Sequence, residues 1–386
     1  MKSPVVGPRW GAPPWRFRFR IPSAPLPRSA DAVVIGAGFA GLAAARSLAA
    51  AGLQVVVLEG GRVGGGASGR SGGVVLEGAA AGELPGLGSA IEALRERIRR
   101  DGIECGLELP GCLELAHRER AEGPWRERGW RDAGRWLVPA AEVPGGTLDP
   151  GALLSGMAAA ATRAGARIHE GVRASRLRAM PAPALETTAG GLSAGLVVVA
   201  AGAFTGGLVP EAGELHAALT PALVTAPLPR DAGLGPAGGK PFYTVDLPYL
   251  WGRPLPDGAL MLGAGLVRGD PEQLPNRRID RGAFARAIRE LEDRLRGLTP
   301  RFRGLGVRRR FAGPVCFRTG AVPLLCLHPE SPRVALAGAF AGHGVALAPL
   351  AGELAAEALL GRRALPDWGR PCPDPAQDPA ARSRRA

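Results

Sequence analysis

Residues 31–59 read DAVVIGAGFAGLAAARSLAAAGLQVVVLE, and they leave little freedom in what can surround them. A β-branched run, Val33 to Ile35, enters the turn Gly36-Ala37-Gly38-Phe39-Ala40-Gly41. The alanine-rich stretch to about Ala51 predicts a helix, and Val55 to Leu58 predicts a second strand that ends in Glu59. Strand, glycine turn, helix, strand and terminal acid in this order form a dinucleotide-binding unit. Gly36 permits the tight turn, Gly38 lets a pyrophosphate approach the backbone, and Gly41 lets the helix lie close on the strand. With Phe39 and Ala40 they place the first N–H groups and the positive end of a helix toward phosphate. Glu59 is placed to accept hydrogen bonds from ribose hydroxyls.

The Gly-rich run Gly60 to Gly73, GGRVGGGASGRSGG, follows at once. Such a run by itself reads as linker. Here it starts at the ribose-binding acid, so it lies where the rest of a cofactor extends. Gly60, Arg62, Gly66, Ala67, Ser68, Arg70, Ser71 and Gly72 are therefore candidate cofactor contacts. Backbone N–H groups of 66–68 and the Ser68 hydroxyl suit phosphate or ribityl groups, and Arg70 suits phosphate or an isoalloxazine.

A 386-residue chain with 46% hydrophobic residues can bury a sizeable core in two lobes. The net charge of +13 is carried almost wholly by arginine, since Lys2 and Lys240 are the only lysines. Those arginines are scattered, with one dense run at Arg308–Arg310 and no interleaved aromatics. That pattern reads as a solvated basic surface rather than a nucleic-acid site. Five cysteines without a CxxC pair argue against a disulfide framework and a structural zinc site, and fit a reducing, cytoplasmic setting. No metal site is predicted. The N-terminus has no apolar h-region, and no membrane-spanning stretch is evident.

Along the chain, residues 1–29 read as a Pro- and Arg-rich arm whose aromatics (Trp10, Trp15, Phe17, Phe19) dock on the body. Ile91, Leu94 and Ile98 recur at helical spacing, and residues 102–143 read as β-rich. Thr147-Leu-Asp149-Pro150 offers a cap and an N1 proline for a helix that stops at Gly165. Arg167 to Val172 is a short strand in which His169 is structural, and Gly195 to Gly202 is a buried strand ending in a turn at Ala201-Gly202. From Leu215 to Gly265 the texture is Pro-rich β with a hairpin turn at 256–258. Tyr243, Tyr249, Trp251 and Arg253 gather just before that turn, which makes this sheet the candidate substrate surface. Asp280 is placed to cap a helix with Phe284, Ile288, Leu291 and Leu295 in one stripe. Near the end, strand Val334–Ala337, the turn Gly338–Gly344 and a helix with Pro349 in its first turn repeat the opening unit. The tail from Pro366 reads as disordered.

Several of these separated segments agree with one family. The chain resembles the FAD-dependent amine and amino-acid oxidoreductases of the D-amino-acid oxidase superfamily, in the branch of glycine oxidase, monomeric sarcosine oxidase and gamma-glutamylputrescine oxidoreductase. The resemblance rests on 31–59, GGGASGRSGG (64–73), 145–172, LVVVAAGAF (196–204) and VALAGAFAGHGVALAPLAGELAAEAL (334–359). It implies an α/β fold in two lobes (α+β in layout): a Rossmann-like FAD-binding lobe and a discontinuous, antiparallel or mixed β-sheet substrate lobe. The implied division is an arm at 1–29, an FAD lobe from 30–86, 145–214 and 330–362, a substrate lobe from 87–144 and 215–329, and a tail at 363–386.

The resemblance also implies roles for residues. Gly36, Gly38, Gly41 and Glu59 correspond to the pyrophosphate loop and ribose acid, and Ala67, Ser68, Arg70 and Ser71 to the second FAD loop. Val172 corresponds to an adenine-side backbone contact, and Gly342, His343, Gly344 and Val345 to a flavin-edge turn. Met261 stands where the sarcosine-oxidase branch has a lysine that promotes oxygen reduction, and Ala346 where it has a lysine for the substrate carboxylate. Cys316 lies in the segment through which that branch attaches flavin covalently.

The expected chemistry is oxidation of a C–N bond, with a small amine or amino acid as substrate and O2 or another acceptor for the electrons. Arg253 would anchor an acidic group of the substrate, with Tyr249, Trp251 and His343 lining the pocket. Two alternatives stay open at this point. One is an NAD-dependent dehydrogenase, which leaves GASGRSGG and the C-terminal turn unexplained. The other is a non-catalytic flavin-binding or assembly subunit.

Overall fold

The computed structural model describes residues 10–228, 235–268 and 281–369. The chain is mixed α/β, with two large sheets among the described residues. The first holds eight strands. Its path runs β18 (Leu324–His328), β19 (Ser331–Gly338), β11 (Gly190–Val199), β1 (Ser29–Ile35), β2 (Val55–Glu59) and β8 (Arg167–Glu170). The hairpin of β9 (Ala174–Arg178) and β10 (Ala184–Thr187) extends it beside β11. β19, β11, β1, β2 and β8 run parallel, and the central strands bury apolar runs at Val33–Ile35, Val55–Leu58 and Val197–Val199.

One face of this sheet is covered by helices α1 (Phe39–Ala50), α2 (Ala90–Asp101), α4 (Pro150–Arg163) and α6 (Gly344–Leu359). The other face buries Val33, Val56, Val197 and Leu336 under the β9–β10 hairpin and neighbouring turns. Asp149 caps α4 as its sequence predicts, accepting from the Gly151 and Ala152 N–H groups at 2.8 and 3.0 Å. Such a cap is worth about 1 kcal/mol. α1 and α6 approach so closely that a Cβ on Gly352 would sit 2.0 Å from the Ala40 carbonyl oxygen.

The second sheet holds nine strands. Its path runs β16 (Val267–Arg268), β12 (His216–Pro227), β15 (Ala259–Ala264), β14 (Leu250–Pro254), β13 (Phe242–Thr244), β4 (Cys112–Arg118), β6 (Arg135–Val143) and β5 (Trp130–Asp132). β17 (Val307–Phe317) pairs with β12 along its length. All described pairings are antiparallel except β13 with β4, so this sheet is mixed. One face packs Leu223, Phe242, Leu260 and Leu262 against Leu291, Leu295 and Leu298 of α5 (Arg281–Leu298). The opposite face carries Ala222, Met261 and Phe311, with Trp251 and Trp15 of the arm against them. A small ribbon of β3 (Val74–Leu76) and β7 (Gly145–Thr147) adjoins both, and α3 (Trp125–Arg128) is a single turn.

Several expectations need correction. Residues 90–101 and 324–328 fall in the implied substrate lobe, yet α2 packs in the helical core and β18 pairs with β19 of the first sheet. The Phe284 side chain leaves its stripe and joins Trp10, Leu219 and Ala312, while Leu291 and Leu295 face the sheet. Pro349 lies inside α6 rather than in its first turn, and its carbonyl accepts from Arg97 at 3.1 Å. Arg308 to Arg310 are exposed, as a solvated basic run implies, and Arg308 and Arg310 pair with Asp257 and Glu292. Residues 363–369 are anchored, with Trp368 Nε1 donating to the Pro85 carbonyl at 2.9 Å. Asp280, residues 1–9 and the tail from 370 lie outside the described residues. No described helix is long and apolar enough to cross a membrane.

Candidate functional site

The first glycine turn sits at the C-terminal edge of β1. Gly36 has φ +102°, and a Cβ there would lie 2.4 Å from the Ala200 carbonyl oxygen. Ala201 and Gly202 follow at once, so the turn after β11 flanks the turn after β1. A Cβ on Gly41 would lie 1.8 Å from the Gly36 carbonyl oxygen, so only glycine lets the helix start here. Phe39 and Ala40 bury their side chains beneath α1, which leaves their backbone as the part that faces the turn. Ser68 Oγ accepts from the Phe39 N–H at 3.0 Å and would lie 2.9 Å from a Cβ on Gly38. An electron-rich oxygen therefore already rests at the positive end of α1.

Glu59 lies beside this turn. Its Oε2 accepts from the Ala37 N–H at 3.1 Å and its Oε1 from the Gly61 N–H at 2.8 Å. Burial pushes its carboxyl above the usual range, and neighbouring Glu170 adds to that push against these two hydrogen bonds. Each oxygen keeps a further lone pair for a hydroxyl donor. Gly60 packs near the Arg173 stem, and Arg62 is exposed at this end. Val172 is adjacent, but its N–H already donates to the Glu59 carbonyl at 3.0 Å. The implied adenine contact of Val172 is thereby reduced to its carbonyl.

The Gly-rich loop is held by two arginines. Arg70 is buried, and its guanidinium donates to the carbonyls of Gly65, Gly11 and Ala312 at 3.1, 3.0 and 2.9 Å. Arg253 is buried too, and donates to the carbonyls of Gly73 and Leu148 at 3.1 and 2.7 Å. Burial lowers both pKa values to about 10, which leaves both cationic at neutral pH. Arg70 thus reaches protein carbonyls through Nε and Nη1, and Arg253 reaches the loop through Nη1. Gly66 and Ala67 lie on the open side of the loop, where a Cβ on Gly66 would meet nothing within 4 Å.

A second turn approaches from the end of β19. Ala339 and Ala341 adopt φ +54° and +49°, and Gly342 follows at +93°. Left-handed alanines are strained. They aim His343, Gly344 and Val345 at the start of α6. The His343 Nδ1 is buried without a hydrogen-bond partner among the described residues, and burial holds the imidazole pKa down.

The second sheet closes over these turns. A Cβ on Gly72 would touch the Trp251 ring at 2.3 Å, so Trp251 rests on the Gly-rich loop. Trp251 pairs with Tyr243, and Tyr243 with Glu114, so the three share one face in adjacent strands. The Tyr243 hydroxyl donates to Glu114 Oε1 at 2.6 Å. Burial and that carboxylate raise the Tyr243 pKa. Tyr249 is 40% exposed, yet its surroundings push its hydroxyl up to about 12. Glu114 is missed by sequence reasoning, although an acid between apolar residues in Cys112-Leu-Glu-Leu115 marks it as turned to one side of a strand.

Tyr249 hangs from the loop 245–249, which a buried charge network fixes. The His117 ring nitrogens lie 2.5 Å from Asp246 Oδ1 and 2.9 Å from Asp132 Oδ2. Arg294 donates to both oxygens of Asp132 and to the Tyr249 carbonyl. Burial works against ionised Asp132, but hydrogen bonds from Arg294 and His117 prevail and hold its pKa low.

Cys316 is a free, buried thiol. Its carbonyl accepts from the Ala341 N–H at 3.0 Å, so the segment does reach the second turn. The thiol, however, is buried in an apolar cluster and burial pushes it up to about 12. A thiol that rarely ionises is a poor nucleophile, which argues against attachment through it.

Residues 31–358 match the family model described as FAD dependent oxidoreductase. Gamma-glutamylputrescine oxidoreductase of Escherichia coli (strain K12) is 28% identical, over 86% of this chain and 84% of that protein. Glycine oxidase of Bacillus licheniformis is 24% identical, over 88% of this chain and 95% of its own. The crystal structure of glycine oxidase from Geobacillus kaustophilus superposes with a TM-score of 0.67 at 22% identity, covering 88% and 97%. That last likeness concerns the fold alone. The residues present fit FAD: an anion-ready helix start with its Gly38 cradle, a hydroxyl acceptor in Glu59, and an unpartnered His343 nitrogen beside a second helix start.

Proposed function

The chain belongs to the family of FAD dependent oxidoreductases, and from that premise we propose that it oxidises a carbon–nitrogen single bond of an amine or amino acid, with amines preferred. The substrate loses a hydride from the carbon next to nitrogen, and the imine formed is hydrolysed by water. Bound FAD supplies the two-electron acceptor. Gly36, Gly38 and Gly41 with Ser68 would hold its pyrophosphate, Glu59 its ribose, and the turn 342–345 its ring edge.

The observation that carries this reading is that Arg253 turns its Nη1 to the Gly73 and Leu148 carbonyls of the loop. Ala346, which stands where the resembled branch has a lysine for the substrate carboxylate, is apolar and buried. Glu114, in contrast, brings a carboxylate to the Tyr243–Trp251 face. A site of that balance favours a substrate whose second group is neutral or cationic. Similarity to gamma-glutamylputrescine oxidoreductase supports an amine, and similarity to glycine oxidase keeps amino acids in the test. Tyr249 and Trp251 would supply an apolar wall that excludes water from the reacting carbon. Tyr249 is pushed up to about 12 and burial holds His343 down, so both are favoured in their neutral forms. A substrate that binds as the neutral amine needs no base from the protein, and the rate should rise with pH along the deprotonation of the substrate itself.

The test is anaerobic bleaching of the flavin by a panel of amines and their α-carboxylated counterparts. Amines should reduce the flavin at least about tenfold faster, about 1.4 kcal/mol in the barrier. Bleaching by no compound in either set would sink the reading. Faster reduction by the carboxylated set would sink the preference.

A further inference from the structure

The arm before β1 does more than cover the surface. Gly11 forms an antiparallel bridge with Phe311. Arg70 reaches from the cofactor loop to the carbonyls of Trp10 and Gly11 at 3.3 and 3.0 Å, and its guanidinium carbon lies 5.6 Å from the Trp10 ring centre. Trp15 Nε1 donates to the Ser71 carbonyl at 2.8 Å. The Trp15 ring lies 5.3 Å from the guanidinium carbon of Arg253, the second arginine of the loop. Further on, the Arg16 backbone packs on Gly151 at the start of α4, and the Arg18 N–H donates to Ser155 Oγ at 2.8 Å.

These contacts form one connected path. Trp15 holds Ser71, the Ser71 hydroxyl donates to the Ser68 carbonyl at 3.2 Å, and Ser68 Oγ rests on the first N–H of α1. The segment so fixed is the glycine-richest of the chain, and glycine loses the most freedom on ordering. Left alone, such a loop would have to be ordered by the cofactor at the expense of affinity. Two buried arginines and the arm order it beforehand.

We propose that residues 10–19 are a strap that completes the FAD site, and that docking of the strap and binding of FAD are coupled through Trp15, Arg70 and the loop 64–73. Coupling of this kind is reciprocal. If the docked strap strengthens FAD binding by some factor, FAD strengthens docking of the strap by the same factor.

Both directions can be measured. Apoprotein of the full chain, of Trp15→Phe, and of a chain lacking residues 1–19 is titrated with FAD, following quenching of flavin fluorescence. In parallel, full-chain protein with and without FAD is treated with trypsin. Arg16, Arg18 and Arg20 have exposed side chains, so cleavage after them reports undocking. The truncated chain should bind FAD on the order of tenfold more weakly, with Trp15→Phe between it and the full chain. FAD should slow cleavage within the strap by a similar factor. Circular dichroism of each apoprotein separates lost affinity from lost fold. Undiminished FAD affinity in a folded truncated chain would overturn the proposal. Should that chain fail to fold, the other two readouts decide. Full affinity in Trp15→Phe together with cleavage rates indifferent to FAD would then overturn it.

Discussion

Two strand–turn–helix units meet at the cofactor end of the first sheet, and they make a similar bend with different residues. After β1 the bend is taken by Gly36 at φ +102°, and Gly41 clears the strand. After β19 it is taken by Ala339 and Ala341 in the left-handed region before Gly342. The first turn is relaxed and sterically closed, because added methyls would strike backbone atoms. The second is strained and open, because a Cβ on Gly342 would meet nothing within 4 Å. A cradle for a fixed group needs only space and N–H donors. A turn that aims one imidazole at a reacting edge has to hold a conformation its residues resist, and strain of this kind costs about 1–3 kcal/mol per residue.

Removing the clearance in the first turn should have the largest effect. Gly41→Ala places a methyl against the Gly36 carbonyl, where 1.8 Å is available. Thermal unfolding should show a loss of about 3 kcal/mol or more, and the purified protein should carry no flavin absorbance. A yellow protein with an unchanged melt would mean that the first turn is not closed.

Relief of strain in the second turn should act in the other direction and more weakly. Ala341→Gly should stabilise by roughly 0.5–1 kcal/mol, since strain relief exceeds the added entropy of the unfolded chain. Ala339→Gly should be close to neutral, because Ala339 is 2% exposed and its buried methyl is worth about 0.8 kcal/mol. Denaturant midpoints decide between these values. Destabilisation by both would show that the left-handed alanines carry no strain.

The smallest effect is a pH dependence. Burial lowers the His343 pKa in the folded state, so the neutral ring is the form the fold accepts. Its contribution is whole above the ordinary histidine value of about 6.5 and is lost as pH falls through the lower folded value. His169, also lowered by burial, follows the same sign. The melting temperature should therefore fall between about pH 7 and pH 5, and His343→Asn should flatten part of that slope. An unchanged slope in the variant would assign the whole effect elsewhere.

The two turns also show what could be read in advance. The first was legible because its demands are local: three glycines, one helix and one acid at fixed spacing answer to sterics within thirty residues or so. The pairing of β12 with β17 and the network of His117, Asp132, Asp246 and Arg294 were not, because their partners come from distant segments. Arg70 and Arg253 show the same limit. A sequence shows a charge but not the carbonyls that will claim it, and both arginines look like ligand groups until Gly65, Gly73 and Leu148 are seen around them. Cys316 reaches the right neighbourhood, yet alternation along β17 turns its thiol into an apolar cluster. The β9–β10 hairpin escaped because its exposed strands lack a clear apolar alternation.

The seating of α6 on α1, with Gly352 against the Ala40 carbonyl, also sets an order of events during synthesis. The opening strand, turn and helix leave the ribosome early, but the parallel neighbours β11 and β19 and the covering helix arrive much later, the last of them ending at Leu359. Until then the apolar flank of α1 stays bare in the nascent chain. Closure of that flank thus waits until the helix Gly344–Leu359 has been made. A truncated or stalled product would expose the surface that quality-control factors bind.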